Sequence, residues 1–214
     1  MDCVVLVPML GRATQVARLV DSLHASTDRA RLLFLLSPND DDVYRAVQGH
    51  DYLVIPTPPG RGDYARKINV GIKVSTEPLI FTGAIDLHFH PGWLDIAQAH
   101  MSHTVHVVGT NDLANDRTVD THSTHTLVAR DYVQRGLIDG RPGLLCEDYL
   151  HEYVDDELVG TARHRGIYAH ASHAVVEHLH PIAGKAAWDD SYRAMNLRMD
   201  RDRFLFGKRQ KLWT

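Results

Sequence analysis

The fold turns on one stretch, Pro78-Leu-Ile-Phe-Thr-Gly-Ala-Ile-Asp-Leu-His-Phe-His-Pro-Gly-Trp93. Leu79, Ile80 and Phe81 are a short apolar run of the kind that forms a buried strand. Thr82, Gly83 and Ala84 are small and allow another group to approach the backbone closely. Asp86, His88 and His90 then alternate with Leu87 and Phe89, and Pro91-Gly92 ends the run where Trp93 opens a helix. A carboxylate and two imidazoles just past the end of a core strand suit a divalent cation. The edge beyond the carboxyl ends of the strands is where open α/β sheets bind ligands.

Upstream, residues 4–7, 32–36 and 52–55 are continuous apolar runs, each a buried strand. Between them Val16, Leu19, Val20 and Leu23 fall at helical spacing, residues 43–48 make a short helix, and Asp63 caps a helix that runs to about Val74. This β-α-β-α-β-α-β alternation predicts a Rossmann-like, mostly parallel sheet flanked by helices. Downstream the pattern is less regular. Residues 105–109 and 125–129 read as strands, 110–121 as a polar loop and 131–135 as a helical turn. Residues 136–147 are rich in turn formers and read as a mobile loop. A helix over 155–165 stops at Gly166, short strands follow over 167–170 and 175–179, and 188–206 reads as a C-terminal helix.

The 214 residues are enough for one α/β domain, 44% of them hydrophobic and 23% charged, as in an ordinary soluble protein. The N-terminus has no basic region and only a short apolar run, so it reads as a first strand and not a signal peptide. No apolar run approaches the ~20 residues of a membrane span. Cys3 and Cys146 imply no disulfide framework, and a reducing cytoplasm is the expected location. The net charge of −4 provides no overall basic footprint for nucleic acid. From Ser191 to the end, however, seven Lys/Arg face two Asp. This basic tail could bind a membrane, a partner or nucleic acid, or simply cap the domain. Its apolar residues form no clean stripe, which weighs against a membrane helix.

Two families own a stretch like 78–93. Asp86-Leu-His-Phe-His90 resembles the Asp-x-His-x-His metal motif of amidohydrolases, but a (β/α)₈ barrel needs roughly 250 residues, and too little chain follows the motif. The apolar strand, the acid turn and Pro91-Gly92-Trp93 resemble family 2 glycosyltransferases of the GT-A fold, in particular small phage- and actinobacterial-type enzymes. That resemblance covers roughly residues 3–181 through the order of several short motifs. Asp86 takes the place of the last acid of the Asp-x-Asp turn, and Ala84 stands where the first acid usually contacts the sugar nucleotide. Pro8 ends the strand that meets the nucleotide, Asp40 or Asp41 the strand whose acid binds the base. Tyr64-Ala-Arg-Lys-Ile-Asn-Val-Gly71 resembles the family's Ala-Arg-Asn-x-Gly helix with one residue inserted, which implies phosphate contacts for Lys67 and sugar or nucleotide contacts for Asn69. Arg12 is a further candidate for neutralising phosphate.

The same resemblance implies that Asp155, or else Asp156, is the general base that deprotonates the acceptor hydroxyl. Three acids at a helix N-terminus are equally well explained by the helix dipole. His178 takes the place of the His that completes the metal site with Asp86, a mixed O/N shell suited to Mn²⁺ or Mg²⁺. What the resemblance implies is one GT-A domain over 1–214: a nucleotide-sugar half (1–93), an acceptor and catalytic half (94–186) and a basic C-terminal helix (187–214). The implied reaction moves a sugar from a UDP- or GDP-linked donor to a hydroxyl, with inversion and with metal. By position, Asn111, Asp112, His122 and His125 are acceptor candidates. The acceptor stays open among polysaccharide, protein, small glycoside and modified DNA base. A hydrolase using Asp86, His88 and His90, and a non-catalytic nucleotide-sugar binder favoured by Ala84, remain alternatives.

Overall fold

Strand β1 (Cys3–Pro8) lies where its apolar run places it, with Cys3 to Val7 buried. It pairs in parallel with β2 (Ala30–Leu36) and β4 (Leu79–Thr82), and β2 carries β3 (Tyr52–Val54) at its outer edge. The computed structural model describes residues 1–113, 122–193 and 195–213. Helices α1 (Val16–Ser26), α2 (Asp41–Ala46) and α3 (Asp63–Val74) connect these strands. Successive side chains of a strand point to opposite faces. Cys3, Val5 and Val7 therefore pack with Val16, Leu19 and Leu23 of α1, while Val4 and Leu6 pack with Ile68 and Ile72 of α3. Covering both faces is what requires unbroken apolar strands.

The second half adds β5 (Leu87–Phe89), α4 (Trp93–Ala99), β6 (Val107–Asn111), β7 (Thr126–Ala129), α5 (Val154–His164) and β8 (Tyr168–His178). The eight strands form one sheet in the order β3-β2-β1-β4-β7-β6-β8-β5. Four of its seven pairings are parallel; β7 runs antiparallel to β4 and β6, and β5 antiparallel to β8. Trp93 is buried against Phe81 and Phe89, with ring centroids 4.8 and 5.0 Å away.

Several expectations change, β3 first: at the sheet edge it is not a buried strand, and Val54 is 42% exposed. The two short strands over 167–179 are one strand of 11 residues, shared between β6 and β5. Its run of Ala, His and Ser disguises it because pairing on both sides, not apolar content, holds it. The 136–147 loop is pinned. Leu144, Leu145 and Cys146 are buried, and the amides of Leu144 and Leu145 donate to Asn69 Oδ1 at 3.0 and 3.1 Å. The polar loop expected over 110–121 begins inside β6, and 114–121 lie outside the described residues.

The single C-terminal helix is instead α6 (Asp190–Arg193), α7 (Met195–Arg209) and a 3₁₀ turn, Gln210–Trp213. This basic segment caps the domain. Asp202 is fully buried and accepts from the amides of Leu150, His151 and Glu152 at 2.8, 2.8 and 2.9 Å. Arg209 is buried between Glu157 and Asp139, each 2.7 Å from it. Trp213 lies so close over Gly160 that a Cβ there would come within 2.2 Å of its ring.

Candidate active site

A cavity of about 640 Å³ opens at the carboxyl ends of β1 and β4. Its floor needs Gly83, whose amide donates to Leu6 O at 2.9 Å and where a Cβ would stand 2.8 Å from that oxygen. The next turn of chain brings Ala84 and Asp86 to the cavity wall.

Asp86 is buried, and three groups converge on its Oδ2: Tyr192 Oη at 2.6 Å, Arg12 Nη1 at 3.2 Å and His178 Nε2 at 3.4 Å. Burial alone would raise this carboxyl's pKa. His178, Tyr192 and Arg12 outweigh burial and hold it far below the usual range. In return, Asp86 raises the pKa of His178 against its own burial. Two donors at right angles on an octahedral ion stand roughly 3 Å apart. Asp86 Oδ2 and His178 Nε2 are close enough to bind one ion if it displaces the proton between them, and their carboxylate and imidazole chemistry suits Mn²⁺ or Mg²⁺. Arg12 itself holds a left-handed conformation, φ 59°, secured by Asp189 at 3.0 and 3.1 Å and by the Tyr192 ring 3.7 Å from its guanidinium.

Asp155 lines the same cavity from the first turn of α5. His122 lies between the two acids, with Nε2 3.5 Å from Asp155 and Nδ1 3.5 Å from Asp156. Burial pulls the His122 pKa down, but the bond to Asp155 and the surrounding carboxylates lift it to about 9. Burial raises Asp155 as well, yet His122 prevails and keeps its pKa below the usual value. Burial and the charge of Asp155 push Asp156 up to about 6. Ligand atoms of these three residues lie within 4.8 Å of one another. Both His122 nitrogens face acids, which favours an imidazolium with two N–H donors and no lone pair for a metal. We therefore describe the cluster as an ion-paired carboxylate.

His125 also reaches the cavity, buried, with Nδ1 2.7 Å from Thr82 O. Burial and the nearby His178 lower its pKa to about 4 and keep it neutral. Other expected contacts are spent inside the protein. Lys67 is fully buried, and its three protons go to Met9 O, Ser37 Oγ and Asp63 Oδ2 at 2.6, 2.7 and 2.7 Å. It touches the cavity with its donors already used. Asn69 does not line the cavity; it clamps the backbone of Leu144 and Leu145 and donates to the Glu147 carboxylate. Asp40 caps α2 through Val43 N and holds Gly11 N. Asp40 and Asp41 border a neighbouring depression of about 510 Å³ that shares Leu10 and Pro59 with the main cavity. Pro8 lines the main cavity. Asn111 donates to Ser172 O and does not line the cavity; Asp112 accepts from Thr124, which lines it, and so stands behind its wall.

The Asp86, His88 and His90 set does not assemble. Asp86 turns into the cavity, while His90 contacts Glu177 at 3.2 Å and packs on His88, ring centroids 5.2 Å apart. The hydrolase alternative is dropped on that geometry.

No known protein family matches the chain, and no curated protein does. Solved structures do. The mannosyltransferase PcManGT from Pyrobaculum calidifontis, in complex with GDP-Man and Mn²⁺, is 16% identical at TM-score 0.70, over 94% of this chain and 61% of that one. Glucosyl-3-phosphoglycerate synthase from Mycobacterium tuberculosis, with Mn²⁺, UDP and phosphoglyceric acid, is 15% identical at TM-score 0.64, over 97% and 78%. TarS 1–349 of S. aureus is 13% identical at TM-score 0.63, over 82% and 59%. The fold is GT-A. This chain thus spans about three fifths of the mannosyltransferase whose fold it shares.

On the GT-A frame, the residues that sequence reasoning missed come from the far end of the chain. Tyr192, Asp189 and Arg198 meet residues more than forty positions away: Tyr192 and Asp189 through Asp86 and Arg12, Arg198 through Glu152 at 3.2 Å. Tyr64, whose hydroxyl points to Gly83 O at 3.3 Å, also lines the cavity. No local pattern marks any of these as site residues.

Proposed function

We propose that this protein is a glycosyltransferase that moves a sugar from a nucleotide-diphosphate sugar to an acceptor hydroxyl, inverting the anomeric carbon in one displacement. The observation that carries the proposal is a single cavity, at the carboxyl ends of a GT-A sheet, faced by both the Asp86–His178 pair and the ion-paired Asp155. Asp86 and His178 would hold Mn²⁺ or Mg²⁺, which supplies Lewis-acid neutralisation of the departing diphosphate. The ions in the GDP-Man and UDP complexes of the structural neighbours favour the same chemistry. Arg12 would exchange its bond to Asp86 for the diphosphate oxygens. Asp155 would take the acceptor proton as the hydroxyl oxygen bonds to the anomeric carbon and the carbon–phosphate oxygen bond breaks. His122 keeps that carboxylate ionised. Among the described residues no helix is long and apolar enough to cross a membrane. A cytoplasmic location and a hexosyl or pentosyl donor belong to the same proposal.

Thermal shift against UDP-glucose and GDP-mannose, with and without Mn²⁺, tests it. A ligand that binds only the native state adds about 2.7 kcal/mol at a hundredfold excess over its Kd. The expected result is a metal-dependent rise with one nucleotide sugar. Silence with every nucleotide sugar would sink the proposal. Binding without turnover, unaltered by Asp155→Asn, would leave only a nucleotide-sugar binder.

A further inference from the structure

His125 stands just ahead of β7, against the cavity that Asp86 and Asp155 also line. Its Nδ1 is 2.7 Å from the Thr82 carbonyl oxygen. A carbonyl only accepts, so Nδ1 carries a proton; a second proton on a buried Nε2 with no acceptor would be an unpaired buried charge, so Nε2 is a bare lone pair. The residue is 4% exposed, and Nε2 has no hydrogen-bond partner among the described residues. Buried polar atoms left in that state are few in folded proteins, and each calls for a partner. The ring cannot easily turn to find one. Phe81 and His178 stand against it with centroids 6.3 and 5.2 Å away, and the Thr82 bond fixes its other edge.

A third metal ligand is one possible use for that lone pair. The geometry speaks against it: among the described residues, the group of three ligand atoms within 4.8 Å of one another is His122, Asp155 and Asp156, not His125 with Asp86 and His178. A different partner fits the position. The charges of Asp86 and Asp155 both act on His125. In the transferase reading, on which this inference rests, the donor sugar lies between a diphosphate at Asp86 and an attacking hydroxyl at Asp155. A sugar-ring hydroxyl brings one proton, and a neutral imidazole nitrogen with no competing donor is its complement. We infer that His125 Nε2 accepts a hydrogen bond from a ring hydroxyl of the transferred sugar and so selects the donor sugar. A site built around such a bond rejects the analogue that lacks the hydroxyl, because the buried acceptor is then left unpaired.

His125→Asn tests this. Its amide N–H replaces Nδ1–H toward Thr82 O, and the Nε2 acceptor is gone. Calorimetric titration in Mn²⁺ compares UDP and GDP with UDP-glucose and GDP-mannose on both proteins. The expected result is unchanged diphosphate affinity with a loss of about tenfold or more for the preferred nucleotide sugar. Singly deoxygenated donors sharpen it: one position should weaken wild type and add nothing in the variant. Equal losses for diphosphate and nucleotide sugar, or no loss, overturn the inference. Nitrogen-15 NMR of labelled histidine reads wild type alone: the Nε2 resonance should move with the nucleotide sugar and stay put with the diphosphate. An unmoved resonance in the sugar complex also overturns it. Failure of wild type to bind any diphosphate or nucleotide sugar would instead bring down the transferase reading, and the inference with it.

Discussion

The first four strands and the last 26 residues hold the molecule together in opposite ways. In β1 to β4 the packing is apolar and local in pattern, and charged contacts such as Arg31–Asp51 sit at the rim, with Asp51 61% exposed. In the C-terminal segment the anchors are buried polar groups. Asp202 satisfies three amides, Arg209 pairs with Glu157, and Tyr192 reaches Asp86 across 106 positions of sequence. Burying apolar surface is non-directional and tolerant. A buried charge is tolerated only in one arrangement with its partners, and removing one partner is costly. The segment therefore gains a single docked geometry. It also secures two residues in left-handed conformations beside the cavity. Arg12 is held by Asp189 and Tyr192; Tyr153, φ 63°, stacks on Phe206 with centroids 5.1 Å apart. Such strain persists only where surroundings over-determine it.

The largest expected effect lies where the two regions meet. Asp155→Asn on α5 should lower kcat by roughly 10²–10⁴ with donor binding retained, which steady-state and binding assays separate. A loss confined to KM would remove Asp155 as the base. Next, Asp202→Ala strands three buried amides and should lower the unfolding free energy by about 3–5 kcal/mol in urea titration. Asp51→Ala, its counterpart in the first region, should cost less than about 1 kcal/mol. Equal costs would erase the contrast. Tyr192→Phe, which removes a bond to a buried carboxylate, should cost about 1.5–3 kcal/mol. Tyr44→Phe, at an exposed Tyr44–Tyr52 contact, should stay within about 0.5 kcal/mol.

A further contrast is a pH slope. His122 has its folded pKa raised from 6.5 to about 9, so its share of stability is complete below 6.5 and is lost as pH rises through 9. Asp155 is shifted the other way, and its share is lost only in acid. The wild-type melting temperature should therefore fall between pH 6.5 and 9, and His122→Gln should flatten that fall. Parallel slopes would show that the His122 pairs contribute nothing.

Residues 136–147 mark the limit of what pattern can reveal. Their Gly, Pro and Asp content signals an irregular chain, and irregular it is, but Asn69 from α3 pins it. The same ambiguity attends Lys67. A polar side chain on an otherwise apolar helix face is as well suited to a phosphate as to three buried acceptors, and only the neighbours from β1 and β2 decide. Order along the chain places Asp86, His178 and Asp155 each at a strand or helix end, and in the fold all three line one cavity at the carboxyl edge of the sheet. By itself the sequence determined the strand–helix alternation, the two-faced burial of β1, β2 and β4 and the acids at the sheet's carboxyl edge, since hydrophobic periodicity is a local property. Only the tertiary structure decided that Tyr192 and Arg12 share Asp86, that the basic tail turns inward and that His125 keeps an unpaired nitrogen buried in the cavity wall. Each of those depends on which distant groups meet after folding, and a hydrogen-bond partner a hundred residues away leaves no periodic trace.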